Sequence, residues 1–182
     1  MHRKTARRWA TLATTASAVV LSGPAAALAV PAKDRVDGSA TNQYPSPAGP
    51  GTSRLTIQAR TDKSGFPSGL VTGEGTTTGT PEGAFRVSGA VTCVRVSGNR
   101  ASIKYRFDEA SGGAAALKGG GIEVYVQDNR GHTSDANAFD PPQPPGAFDA
   151  AASQCDDPNV APYDTVESGG YKVRGGRVDA TR

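Results

Sequence analysis

Residues 91–107 alternate apolar and polar side chains on both sides of a Gly98-Asn99 pair. Alternation has the period of a β-strand, and a two-residue Gly-Asn loop suits a type I′ or II′ hairpin turn. That turn pairs Ser97 with Arg100, Val96 with Ala101, Val94 with Ile103 and Thr92 with Tyr105. Directly opposed residues share a face. Val94, Val96, Ala101, Ile103 and Tyr105 then form an apolar face. Arg95, Ser102, Lys104 and Arg106 form a polar one, with Val91 and Cys93 on the same side. A slip of one residue would mix the two sets, so the clean separation argues for this register. It predicts a β fold, a Cys93 that points away from the main core, and a Lys104 on a polar face where truncation costs little.

The N-terminus bears on the compartment. Arg3, Lys4, Arg7 and Arg8 form a basic head without an acid, a mildly apolar stretch runs from Trp9 to Leu21, and Ala27-Leu28-Ala29 is an A-x-A site. This is the pattern of a signal peptide spanning residues 1–29, cut after Ala29. Arg7-Arg8-Trp9 resembles a twin-arginine head, but a bare Arg-Arg pair is common in general-secretory signals, which are the favoured route. No later segment is apolar enough to span a bilayer. Losing the four basic residues takes the formal net charge from +3 to −1. A nucleic-acid reader keeps a basic patch after processing, so nucleic acid is not an expected partner.

Cys93 and Cys155 are the two cysteines of the chain. An even pair in an exported chain reads as a disulfide. Zinc needs more Cys or His ligands than remain, and a C-x-x-C redox motif is absent. Residues 30–53 are rich in Pro, Gly and Ser and read as a linker with a weak first strand over Arg35–Ala40. Residues 54–182 read as one β-domain. Within it, 54–61 is a strand. Residues 70–80, with Gly73, Gly75 and Gly79, are a poor strand or a flexible loop, with a ligand mouth as the alternative. A strand from Phe85 bends at Gly89. Ala114–Leu117 is a single helical turn, and Ile122, Val124 and Val126 mark another strand. From His132 to Asn159 there is no periodicity, and paired prolines make part of it extended and non-helical. Strands close the chain near 163–167 and 171–179. The opening strand near Asp37 and the closing one near Val178 are expected to pair.

The order Gly89-Ala90-Val91-Thr92-Cys93-Val94-Arg95-Val96-Ser97-Gly98-Asn99-Arg100-Ala101, then Val126-Gln127-Asp128-Asn129, Cys155 and Gly175-Gly176-Arg177-Val178, resembles a family of small exported actinobacterial proteins of uncharacterised function. Val36–Ala40 and Ile57–Arg60 resemble its opening strands. The resemblance implies a secreted β-domain with one bridge and transfers no catalytic residue.

Chemical motifs are mostly absent. There is no G-x-S-x-G elbow and no phosphate-binding G-x-x-x-x-G-K-[ST] loop. His132 sits in a polar turn and reads as solvated. Asp108-Glu109 and Asp156-Asp157 lie in loops, where adjacent acids face water. Asp128–Asn137 with Asp140 offers oxygen ligands to calcium, but its spacing fails the EF-hand pattern and a plain turn is the reading. Tyr44, Tyr105, Tyr125, Tyr163 and Tyr171 could build a sugar platform, although Tyr105 and Phe107 belong on the core face.

The chain is therefore expected to be all-β, a mainly antiparallel sandwich or partly closed barrel of about seven strands with one disulfide, Cys93–Cys155. Neither a cofactor nor a metal ligand set is expected, and no catalytic residue is assigned. The leading function class is a non-catalytic extracellular interaction or cell-envelope protein; a filled interior and a flat polar surface would favour it. A small-ligand-binding β-barrel would show an inward cavity lined by Tyr and polar residues. A carboxylate-dependent hydrolase or isomerase would show two converging buried carboxylates.

Overall fold

The computed structural model describes residues 34–44, 51–76 and 83–175. The export segment, and Gly176, Arg177 and Val178 at the closing end, lie outside them. The described chain is an all-β, antiparallel sheet curled into a half-barrel. Its strands are β1 (Arg35–Tyr44), β2 (Gly51–Thr61), β3 (Pro67–Thr76), β4 (Ala84–Ser97), β5 (Arg100–Arg106), β6 (Glu109–Gly112), β7 (Gly121–Gln127), β8 (Ala136–Phe139), β9 (Asp164–Thr165) and β10 (Ser168–Arg174). They follow the order β10-β1-β2-β3-β4-β5-β7-β8-β9, with β6 beside β4. The strand count is therefore ten among the described residues rather than about seven. β3 occupies a segment expected to be a poor strand or loop, because long pairings on both sides override its weak propensity.

The two ends of the sheet are consecutive in the chain. Thr165 pairs with Ala136 of β8, and Ser168 already pairs with Thr41 of β1. Between them, Val166 N–H donates to the Asp135 carbonyl and Glu167 N–H to the Thr41 carbonyl, both at 2.9 Å. The expected pairing of the opening and closing strands is present, from Arg35↔Arg174 to Thr41↔Ser168.

The central hairpin keeps its register as far as Cys93. Val96 faces Ala101 and Val94 faces Ile103, and Cys93 faces Lys104. Gly98 has φ 62° while Asn99 is not in the left-handed region, the pattern of a type II′ turn. A bulge then intervenes, and Val91 rather than Thr92 faces Tyr105. Val91 is therefore buried in the core and not on the polar face. An extra residue in one strand inverts the alternation beyond it. The bend expected at Gly89 coincides with a close approach: a Cβ there would lie 1.8 Å from the Arg106 carbonyl oxygen.

The segment from Asp140 to Tyr163 lies as a strap across the outer face of β4, β5 and β7. It is bonded through Cys155 to Cys93, with Cα atoms 5.7 Å apart. It holds a short helix, α1 (Pro145–Asp149), where an extended, non-helical run was expected. Pro145 stands at the first helical position, where its missing N–H costs nothing. Phe148 of α1 is fully buried, and its ring occupies the space a Cβ on Gly121 would need. Arg106 lies over the same ring, 5.2 Å from its centroid. Asp157 pairs with Arg95 at 3.8 Å, and Asn159 bonds Ser97.

The strap overturns the reading of Lys104. Lys104 is 5% exposed and faces Glu123 of β7 across the sheet, with Nζ 3.1 Å from the carboxylate. It also donates to the Ala151 carbonyl of the strap. Glu123 accepts from the Ser102 hydroxyl and the Asp156 N–H. The face is polar, but covered. Breaking such a buried pair by removing one partner costs about 3–5 kcal/mol, whereas an exposed pair contributes about 0–1 kcal/mol. Lys104→Ala is therefore expected to lower the urea midpoint severely and Arg95→Ala, on the half-exposed pair, to leave it nearly unchanged. Equal midpoints would contradict the buried clamp.

The bridge closes a separation of 62 residues, contributing about 4 kcal/mol in the chain-entropy model. Limited proteolysis after reduction is expected to cut first between Ala138 and Pro162, with the hairpin strands resisting longest. An unchanged cleavage order would mean that the bridge does not hold the strap.

Candidate functional site

Alternation along the inner face packs Val36, Ile57, Val71, Ile103, Val124 and Val126 into one end of the half-barrel, all fully buried. The other end is not filled by the described residues. The last residues of β1, the first of β2 and β4, the last of β5 and the first of β7 surround a cavity of about 580 Å³. Its walls are largely apolar, with Leu55, Phe85, Val87, Phe107, Leu117 and Ile122 among them. Tyr105 and Phe107 pack edge to face at 5.4 Å in the same wall. Gly73 of β3 lines it too; a Cβ there would meet Val87 Cγ2 at 3.1 Å and the Tyr105 hydroxyl at 3.6 Å. The absent side chain thus keeps the space in front of the phenol open. One end reaches solvent, where Phe139 is 43% exposed. The size falls within the range of small-molecule sites.

One buried polar side chain in this lining has no partner among the described residues. Asn42 takes the inward position that follows Val36, Gly38 and Ala40 at strand spacing. It is 8% exposed, and neither its Oδ1 nor its Nδ2 has a hydrogen bond. Leaving such a group buried without a partner costs about 1–3 kcal/mol. Tyr105 is 2% exposed and lines the same cavity. Burial pushes its phenol far above the ordinary tyrosine range, so it is a neutral O–H donor. The polar neighbours differ. Asn137 donates its Nδ2 to the Tyr171 hydroxyl at 2.9 Å, Gln43 donates to Glu167, and Asp140 accepts from the Tyr125 hydroxyl. Burial also pushes Tyr171 up to about 12.

The candidates drawn from sequence lie elsewhere. His132 is exposed in the turn after β7. Asp108 accepts from the Ala90 N–H, and Glu109 pairs with Lys118 at the surface. The acidic loop after β7 acts on the sheet edge. Asp128 Oδ2 accepts from the Val173 N–H and Asp135 Oδ2 from the Tyr171 N–H, while their other oxygens accept from the Arg130 and Asn129 N–H groups. These carboxylates cap the outward amides of β10 instead of converging on one point, and capped edges resist pairing with other chains. Glu123, Asp140 and Asp156 bring carboxylate oxygens within 4.8 Å of one another. Lys104 and the Ser102 hydroxyl both engage the buried member, Glu123, and the Tyr125 hydroxyl donates to Asp140. The tyrosines share no platform: Tyr125 bonds Asp140 on the strap side, Tyr163 lies under Arg100, and Tyr171 bonds Asn137. The side chain of Tyr44 lies outside the described residues. Asn42 was missed from sequence, although a polar residue at an inward strand position was the available signal.

No protein-family model, curated protein or solved structure matches the chain.

With both amide atoms unpartnered, Asn42→Leu is expected to raise the stability of ligand-free protein by about 1–3 kcal/mol. Thermal melts at fixed pH test it. A melting temperature lower than that of the parent chain would mean that Asn42 makes a structural bond.

Proposed function

We propose that the chain is an exported, non-enzymatic binding protein for a small, mostly apolar molecule held inside the half-barrel. The observation that carries this reading is the unfilled, apolar end of the interior with an unpartnered amide in its wall. Natural interiors are packed to the density of organic crystals, so an unfilled space of this size in a small β-domain suggests a use. Burying an amide without a partner lowers stability, and binding a ligand recovers that loss. This reading replaces the flat-surface interaction protein as the leading class, because the interior is not filled.

Export is part of the proposal. The Cys93–Cys155 bond is compatible with an oxidising compartment. Among the described residues no helix is long and apolar enough to cross a membrane. The signal segment 1–29 and the resemblance of the Cys93 hairpin to small exported actinobacterial proteins support the same compartment.

The test uses N-phenyl-naphthylamine, which brightens on entering an apolar cavity. The disulfide-bonded mature chain is expected to give a saturable enhancement. Gly73→Val places a branched side chain in the cavity on a strand position outside the left-handed region. It is expected to weaken binding by about tenfold or more, since the probe must lose contact area. No enhancement, or one unaltered in folded Gly73→Val, would overturn the reading.

A further inference from the structure

We infer that Asn42 selects the ligand's head group, and that this head is a neutral group presenting an acceptor and a donor side by side, of the primary carboxamide or lactam class. The inference rests on the cavity reading above.

Charge narrows the head group first. The charged side chains in the lining are Arg54, Asp140 and Asp164. Arg54 and Asp164 are exposed, and Asp140 already accepts from Tyr125. Among the described residues the deep wall holds no charged side chain to neutralise a carboxylate or an ammonium, and an unpaired buried charge is far costlier than a neutral polar group. The head that reaches Asn42 is therefore neutral.

The chemistry of Asn42 narrows it further. A side-chain amide offers a carbonyl acceptor and an NH₂ donor in one plane. Both lack a partner here, and at 8% exposure water has little access to either. A carboxamide or lactam satisfies both at once: its carbonyl accepts from Nδ2 while its N–H donates to Oδ1. An ester or ketone accepts but cannot donate, and leaves Oδ1 buried and unpaired. Sites built to hydrogen-bond a donor reject analogues lacking it, for this reason. Which atom of Asn42 is oxygen does not alter the argument, because the complement is the same after a flip. The Tyr105 hydroxyl supplies a further neutral donor in the same lining.

The experiment is displacement of bound N-phenyl-naphthylamine from the mature, disulfide-bonded chain by four compounds with one body: decanamide, methyl decanoate, decanoate and decylammonium. Decanamide is expected to displace the probe at concentrations lower by about tenfold or more than the other three, the scale of one buried hydrogen bond. In Asn42→Leu the amide's advantage over the ester, read as the ratio of their displacement midpoints in that variant, disappears; Asn42→Ala gives the same ratio with a smaller side chain. Equal displacement by amide and ester in the parent chain, or a preference that survives both substitutions, would overturn the assignment while leaving the cavity reading standing. Superior displacement by decanoate or decylammonium would overturn the neutral head. Failure of the probe itself to bind would overturn the cavity reading, and this inference with it.

Discussion

β5 and β7 are buried on both faces, and the rest of the structure depends on that. Their inner side chains form the core. Their outer side chains, Ser102, Lys104, Glu123 and Tyr125, are also buried, because the strap is bonded down over them. A sheet face that carries an ion pair tolerates such a cover only when every polar atom finds a partner. Here the Lys104–Glu123 pair is completed by Ser102 and by the strap's own Ala151 carbonyl and Asp156 N–H. The disulfide confines the strap, and the buried pair fixes where it docks.

A central wall held from outside relieves the inner face of the need to fill itself. One end of the half-barrel is packed with valine and isoleucine, and the other is left open around Tyr105 and Asn42. Acidic residues serve where strand pairing stops. Asp108 accepts the Ala90 amide where β4 turns from β3 towards β5, and Asp128 and Asp135 accept outward amides of β10. Carboxylates that a sequence reader assigns to water or to calcium thus finish the backbone's hydrogen bonding. What remains unsatisfied is concentrated at Asn42, inside the cavity.

The hairpin was legible in the sequence because its alternation and its turn are local. Its register holds from Ser97 to Cys93 and fails at Thr92, where one extra residue forms a bulge that no periodicity announces. The Cys93–Cys155 bond was legible from cysteine count and compartment. Lys104 was misread because its partner lies nineteen positions on and its cover nearly fifty; burial of an outer face is a tertiary event. Lys104 stands opposite Glu123 because the two strands pair with their apolar faces on the same side. β3 was read as a poor strand or a flexible loop because Gly73 and Gly75 lower its propensity, and Gly73 belongs to the cavity wall. The cavity was not legible, since it is the shape left between eight strands and a turn. Its key residue, Asn42, was within reach as the polar break in an inward series.

The central claim is that the interior holds a molecule. Native mass spectrometry of protein recovered from the medium of its own host, then re-equilibrated with an organic extract of that medium, tests it directly. The account predicts a discrete non-covalent addition to the mature chain, released on unfolding, neutral, and absent from Gly73→Val treated in the same way. A parent chain that carries only its own mass after that treatment would contradict it.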